Sequence, residues 1–367
     1  MKILHVIGAR PNFMKVAPVY RAIGHCSQIR QILVHTGQHY DVNMSDIFFR
    51  QLGLPAPDIN LEVGSGSHAV QTAQIMMRIE ETVSKERPDL VLVYGDVNST
   101  VAAALVCAKL RIPVGHVEAG LRSFDRTMPE EINRLLTDQI ADLLFTPSVD
   151  GDENLLREGV AKEKIHLVGN VMIDTLVRLL PKASNRGLRN LRIDALKEGG
   201  NRYALVTLHR PSNVDEPDRL NKIMITLNEI SQDMLVIFPI HPRTRERISN
   251  FGLQVSENGK LYLNDPVGYL EFLWLEKNAT VVITDSGGIQ EESTFLGVPC
   301  LTLRESTERP VTVEIGTNIV VGRDMDRLKM EVYQILDGQT KKGTVPPLWD
   351  GKASERIAGV IKLWSNK

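Results

Sequence analysis

The side chains able to do chemistry in this chain stand where apolar runs end. Arg10, Asp96, Glu118, His209, His241 and the pair Asp285-Ser286 each follow a short aliphatic stretch. Carboxylates and imidazoles move protons near neutral pH, and Arg10 with Lys15 offers positive charge to a phosphate or carboxylate. The richest stretch is Val281–Leu296, VVITDSGGIQEESTFL. Its β-branched opening reads as a buried parallel strand. The break at Asp285-Ser286-Gly287-Gly288 reads as a turn into a helix that resumes at Ile289. First-turn amides lack partners inside a helix, and the helix dipole adds positive charge, so such a turn binds anions. Gly287 and Gly288 let a phosphate approach the backbone with no Cβ in the way. Glu291 and Glu292 follow one turn later, placed for the hydroxyls of a sugar. The plainer alternative is a helix capped by Asp285 or Ser286.

The other candidates have plain alternatives too. Asp96 after Gly95 suits a turn or cap. Glu118, in HVEAGL, is harder to explain that way because glutamate is a poor turn former. Glu130 and Glu131 fall in the first helical turn after Pro129, where a carboxylate is favourable in any case. His209 and His241 end matching runs and precede Arg210-Pro211 and Pro242. His5, His25, His68 and His166 lack such a setting and read as structural or solvent-facing. No HExxH or other short metal spacing occurs, no GxGxxG follows a strand, and neither GxxxxGK[ST] nor GxSxG is present. The expectation is no metal, no dinucleotide or other cofactor, no P-loop and no hydrolase elbow.

Strand–helix alternation positions these residues. Strands are expected at Ile3–Ile7, Ile32–His35, Leu90–Tyr94, Pro113–Val117, Asp142–Phe145 and Ile165–Val168. Helices are expected at Asn12–Ile23, 41–52, His68–Lys85, Asn98–Lys109 and from Pro129 onward, with Asn98-Ser99-Thr100 as a cap. Leu54–Ser67 reads as loop. In His68–Lys85, the residues Ala69, Ala73, Met76 and Val83 share a helical face. The pattern restarts after a linker around Pro181–Arg202. Strands then fall at Tyr203–Leu208, Leu235–Ile240, Leu261–Leu263, Val281–Thr284, Pro299–Leu303 and Ile319–Val321, and a helix at Ser354–Trp364 ends the chain. This is an α/β protein with two parallel sheets. Its 367 residues are too many for one ordinary core. Ligands bind outside the carboxyl ends of parallel strands, which predicts a cleft site between two domains.

Charge narrows the partners. Lys and Arg number 43 against 45 Asp and Glu, for a net charge of −2. With no basic stripe, counterion release has nothing to work on and nucleic acid is excluded. Cys26, Cys107 and Cys300 are far apart and form no CxxC; Cys107 and Cys300 read as inert buried thiols, consistent with a reduced cytoplasm. The apolar run before Arg10 is too short for a signal peptide, and nothing approaches the roughly 20 residues of a membrane span. A soluble, cytoplasmic enzyme acting on a nucleotide sugar fits: a diphosphate for the glycine turn and hydroxyls for the carboxylates.

The motifs GARPNFMK, HTGQHYD, VYGDVNST, GHVEAGLRS, MPEEINR, TLHR, HPRT, TDSGGIQEES and TERP occur in this order over nearly the whole chain. The sequence closely resembles the non-hydrolysing UDP-N-acetylglucosamine 2-epimerases. The resemblance implies the glycosyltransferase-B architecture: a Rossmann-like domain over 1–170, a Rossmann-like UDP-binding domain over 171–351, and a C-terminal helix, 352–367, packing back on the first. It implies a homodimer and a role in polysaccharide biosynthesis. The implied reaction is the interconversion of UDP-GlcNAc and UDP-ManNAc, by elimination of UDP to 2-acetamidoglucal and re-addition after proton return on the other face. Asp96, Glu118 and Glu130 look like the catalytic carboxylates and His209 like a catalytic partner near the diphosphate. Arg10, Ser286, Gly287 and Gly288 look like diphosphate contacts and Glu292 like the ribose carboxylate, with Lys15, Arg134 and His241 in the substrate-binding set. Gln38 and His39 lie in a stretch similar to one where some members bind a second, activating UDP-GlcNAc. Three carboxylates in one site are expected to repel and raise at least one pKa. Many members read GTRPE where this chain has Gly8-Ala9-Arg10-Pro11-Asn12; with HTGQHYD, this resembles relatives acting on UDP-2,3-diacetamido-glucuronic acid. Gln290-Glu291-Glu292 and Thr307-Glu308-Arg309-Pro310 match the plain GlcNAc enzymes. The alternatives are the same chemistry on a modified UDP-sugar, a hydrolysing epimerase, a glycosyltransferase of the same fold and a nucleotide-sugar-binding module.

Overall fold

Leu90–Tyr94 is buried at every position, as is Val281–Thr284. Runs with no polar face need helices on both sides of the sheet, which is what parallel sheets supply. The structure, a computed structural model, describes residues 1–37, 51–184, 202–253 and 260–365. Strands β1 (Lys2–Ile7), β2 (Arg30–His35), β3 (Ile59–Asn60), β4 (Leu90–Tyr94), β5 (Val114–Val117), β6 (Leu143–Thr146) and β7 (Ile165–Leu167) form one sheet in the order β3-β2-β1-β4-β5-β6-β7. Strands β8 (Tyr203–Thr207), β9 (Leu235–Pro239), β10 (Leu261–Asn264), β11 (Val281–Thr284), β12 (Cys300–Thr302) and β13 (Asn318–Val320) form a second, ordered β10-β9-β8-β11-β12-β13. In each, the first strand lies centrally and the order reverses beside it, the doubly wound pattern whose switch point gathers ligand groups. The switch points bring together the ends of β1 and β4, and of β8 and β11.

The chain forms two compact units, Met1–Leu176 with Pro347–Lys367, and Val177–Pro346. The sequence boundaries at 170/171 and 351/352 shift because long-range bonds draw 171–176 and 347–351 into the first unit. Thr175 donates to the Met14 carbonyl (2.6 Å), and Trp349 donates to that of Pro147 (2.9 Å). Asp174 accepts from the amides of Ala353 (3.0 Å) and Ser354 (2.7 Å), which fixes the start of the final helix, Ala353–Trp364.

Local differences have simple causes. The stretch read as loop contains β3, a two-residue edge strand beside β2, held by Asp58 accepting from the Leu33 amide (2.8 Å). Asn98, Ser99 and Thr100 do not cap their helix, whose cap position is Val97. Thr100 donates to the Tyr94 carbonyl (2.9 Å), Ser99 meets the Thr36 hydroxyl (2.8 Å) and Asn98 donates to Gln71 (2.8 Å). The buried face of the His68–Glu86 helix is Gln71, Ile75, Ile79, Thr82 and Val83. Of the face read from sequence Val83 belongs to it, and Met76, partly buried, packs against the same core. Branched Ile75 and Ile79 fill the core against Val91, Val93 and Ala103, while small Ala69 and Ala73 face outward. Cys107 and Cys300 are buried, and burial pushes both thiols up to about 12. Among the described residues no helix is long and apolar enough to cross a membrane.

Candidate active site

In the first unit the site starts from one buried amide. Asn12 Oδ1 accepts from the Gly8 and Ala9 amides, both at 3.0 Å, and Nδ2 donates to the Tyr94 carbonyl at 2.8 Å. One side chain therefore holds the ends of β1 and β4 together. A glutamate could accept from the two amides but could not donate to Tyr94, so the departure at position 12 changes how the turn is built.

Lys15, next along the same helical face, is buried and ion-paired with Glu118. Glu118 has φ +76°, a left-handed conformation that glutamate rarely adopts. Its amide and that of Ala119 converge on the Phe145 carbonyl at 3.1 and 3.0 Å. Strain of this kind persists where the surroundings over-determine it, and it clusters at functional sites. Gly95, with φ +63°, leaves the space: a Cβ there would lie 2.6 Å from Lys15 Nζ.

Asp96 is not a cap. Its Oδ2 accepts from Arg134 Nε (3.0 Å) and Nη2 (2.7 Å), and Arg134 Nη1 donates to Glu131 at 2.6 Å. Arg134, expected to touch substrate, is committed to two carboxylates of its own chain. Glu131 also accepts from the Ser123 amide (2.9 Å) and hydroxyl (3.0 Å) and the Phe124 amide (2.9 Å). It is spent on shaping the 123–124 loop. Glu130 is half-buried, and among the described residues its side chain makes no ion pair or hydrogen bond. The expected mutual repulsion of carboxylates is replaced by separate pairing: Glu118 has Lys15 and Asp96 has Arg134.

Sequence reasoning missed the clamp behind this pair. His116 Nδ1 lies 2.6 Å from Asp138, and Nε2 lies 2.8 Å from the Gly95 carbonyl. Asp138 accepts from the Gly120 amide (3.1 Å) and pairs with Arg122 (2.7 Å), which in turn pairs with Glu158 (2.7 Å). Burial works to raise the Asp138 pKa, but His116 and Arg122 outweigh it and hold the carboxyl below its ordinary value. The clamp fixes Gly95, next to Asp96, and Gly120, two residues after Glu118. The available signal was His116 itself, two places before Glu118.

In the second unit Asp285, fully buried, accepts from the His209 amide (3.1 Å), the Arg210 amide (3.0 Å) and Asn213 Nδ2 (3.1 Å). It ties the end of β11 to the end of β8 and leaves the Gly287–Leu296 helix uncapped. Ser286 stands at the cap position without a side-chain cap bond, so the first-turn amides point outward. His209, half-exposed, has Nδ1 3.3 Å from Asp285 and its ring 6.4 Å from that of His241. His241 is exposed and caps the Pro242–Asn250 helix by accepting from the Arg243 amide (3.3 Å). Arg309, also missed although it stands in TERP, lies beside the glycine turn: a Cβ on Gly287 would be 2.8 Å from Arg309 Cζ. Arg309 is ion-paired with Glu291 (2.7 Å) and Glu308, and Glu308 also pairs with Arg304 (2.7 Å). Glu291 is thereby tied to a cation, and Glu292 accepts from the Tyr269 hydroxyl (2.8 Å). Gln38, His39 and the Arg10 side chain lie outside the described residues.

One unit thus presents two cation-paired carboxylates at adjacent strand ends, and the other a helix N-terminus with an adjoining guanidinium. The sequence model of the family described as UDP-N-acetylglucosamine 2-epimerase matches residues 21–362. The UDP-N-acetylglucosamine 2-epimerase of Methanocaldococcus jannaschii is 46% identical over 366 residues, covering 98% of this chain and 99% of that protein. The UDP-2,3-diacetamido-2,3-dideoxy-D-glucuronate 2-epimerase of Pseudomonas aeruginosa is 45% identical over 361 residues, covering 98% of each. The crystal structure of the M. jannaschii UDP-GlcNAc 2-epimerase in complex with UDP-GlcNAc and UDP matches with a TM-score of 0.89 at 46% identity, over 99% of this chain and 100% of that one. The chain belongs to the UDP-N-acetylglucosamine 2-epimerase family and is an epimerase with the glycosyltransferase-B-like fold.

Proposed function

We propose that this protein inverts C2 of UDP-GlcNAc to give UDP-ManNAc, reversibly. The observation that carries the reading is the placement of Asp96 and Glu118 at adjacent strand ends, with Arg134 linking Asp96 to the helix that bears Glu130. A carboxylate from this set takes the C2 proton while the anomeric C1–O bond breaks and UDP leaves, giving 2-acetamidoglucal. A proton returned to the other face of C2, with UDP re-adding at C1, completes the inversion. Developing negative charge on the departing diphosphate meets the first-turn amides at Ser286-Gly287-Gly288, Arg309 and His209. Lys15 holds Glu118 in its strained position, and Glu292 takes the ribose. No metal or other cofactor enters this scheme.

A second substrate is kept in view because the P. aeruginosa relative, named for UDP-2,3-diacetamido-glucuronate, is about as similar as the M. jannaschii one. The deciding experiment incubates the protein with UDP-GlcNAc in D₂O without metal or NAD and follows proton NMR. UDP-ManNAc carrying deuterium at C2 is the expected product. No change with UDP-GlcNAc but turnover of the diacetamido-glucuronate sugar would move the assignment to that substrate. Free UDP with unlabelled sugar would overturn both.

We further propose a cytoplasmic homodimer that supplies UDP-ManNAc to polysaccharide assembly. Support for pairing comes from a groove of about 520 Å³ lined by Ala69, Ala73, Met76, Leu105, Ile132 and Leu136. Leu136, in its lining, is 52% exposed, apolar surface of the kind that marks contact sites. Leu136→Glu is expected to give a monomer in sedimentation; a dimer unchanged by it would refute this surface.

A further inference from the structure

Two carboxyl groups meet in the interior of the second unit with no cation to separate them. Glu276, on the Tyr269–Asn278 helix, is 0% exposed, and neither of its oxygens has a hydrogen-bond partner. Glu292, on the Gly287–Leu296 helix, is 2% exposed; its Oε1 accepts from Tyr269, and its Oε2 is buried without a donor. The helices that bear them, Tyr269–Asn278 and Gly287–Leu296, pack against each other, and each carboxyl affects the other's titration. The other titratable groups near them, Tyr269 on the same helix as Glu276 and Cys300 on β12, are neutral when protonated and bring no positive charge. Among the described residues no lysine, arginine or histidine is paired with either glutamate.

Two ionised carboxylates only accept hydrogen bonds, so a buried pair of them would leave both uncompensated, at a cost far above that of keeping one proton. With that proton, one carboxyl donates to the other. Burial raises both glutamates; Glu292 pushes Glu276 up further, whereas the hydrogen bonds from Tyr269 and Glu276 work to lower Glu292. The pair titrates as a unit.

Glu292 is four residues beyond Gly288, so it lies on the same helical face one turn behind the anion site. We propose that Glu276 is a positioning residue of the nucleotide site: it holds a proton against Glu292 Oε2 and, with Tyr269 at Oε1, fixes a single carboxylate facing the hydroxyls of the nucleoside sugar. This rests on the nucleotide-sugar reading above. Tyr269 and Glu276 donate from the two sides, so the Glu292 carboxylate is oriented before ligand arrives and little ordering remains for binding. As pH rises the shared proton is lost, two charges face each other and Glu292 is displaced.

The test uses the full chain with UDP as the probe. Calorimetry measures UDP affinity against pH for the wild type, Glu276→Gln and Glu276→Met, and infrared difference spectra follow the protonated-carboxyl band. Glutamine still donates toward Glu292 but has no proton to lose; methionine fills the space and donates nothing. The wild type is expected to show a protonated carboxyl at neutral pH and an affinity that falls as pH rises. Glu276→Gln should lose the band, stay within about twofold of wild type at neutral pH and flatten the alkaline fall. Glu276→Met should bind about tenfold more weakly at neutral pH with an unchanged melting temperature. Wild-type affinity and pH profile in Glu276→Met, or no carboxyl band in the wild type, would overturn the proposal. A wild type that keeps the band but does not bind UDP would overturn the nucleotide reading instead, and with it the positioning role.

Discussion

Lys15 is ion-paired with Glu118 across 103 positions of sequence, and the missing side chain at Gly95 leaves room for the pair. Gly95→Ala would place a methyl group 2.6 Å from Lys15 Nζ at a residue with φ +63°. The strain alone costs about 1–2 kcal/mol. Loss of stability of that size in urea unfolding is expected, together with a larger loss of epimerase activity, because the pair must separate. Activity within twofold of wild type would show that the pair's geometry is irrelevant to turnover.

Glu130 and Glu131 are neighbours of one residue type with opposite fates. Glu131→Ala removes the acceptor for two amides, a hydroxyl and Arg134, and should cost about 3 kcal/mol of stability. Glu130→Gln should leave unfolding unchanged and lower kcat by about a hundredfold, the scale of a proton-transfer group. The reverse pattern in paired urea and kinetic measurements would exchange the two assignments.

The His116–Asp138–Arg122 clamp predicts acid sensitivity. The Asp138 pKa is held below its ordinary value when folded. Its contribution is therefore fully present above the unfolded value of about 3.9 and is lost as pH falls through the lower folded value. Asp138→Asn should reduce stability at neutral pH and flatten the decline of the urea midpoint at acid pH. An acid slope equal to wild type would show that other carboxylates carry it.

Gly287→Ala tests the anion site. The added methyl group would sit 2.8 Å from Arg309 Cζ and from Glu308 Oε1. UDP binding is expected to weaken by about tenfold or more as the guanidinium is pushed aside, roughly what loss of one charge-assisted hydrogen bond produces. Asp96 and Glu118, the carboxylates proposed for proton transfer, lie in the other unit and are untouched, so unaltered UDP affinity would remove Arg309 and the glycine turn from the proposed nucleotide site.

The sequence by itself determined the strands other than the short edge strand β3, and the polar residues that end them. Unbroken apolar runs such as Leu90–Tyr94 and Val281–Thr284 are local signals, and so are the glycines and prolines that follow them. It also determined that Asp96, Glu118, His209 and Ser286-Gly287-Gly288 stand at strand ends. Only the tertiary structure decided which partners each meets there. Adjacent glutamates at 130 and 131 share a residue type and a first-turn setting, and only the family resemblance tells them apart in sequence; the distant Ser123–Phe124 loop and Arg134 then show which of them is tied down. The core face of the His68–Glu86 helix was misread because its alanines fit a helical period as well as its isoleucines do, and only the sheet beneath selects between the two faces. His116, Arg309 and Glu276 were passed over because their partners, Gly95, Gly287 and Glu292, lie far from them along the chain. Periodicity reports which way a residue faces, whereas the charge or donor it meets is set by strand order and by crossovers that bring remote segments to one switch point.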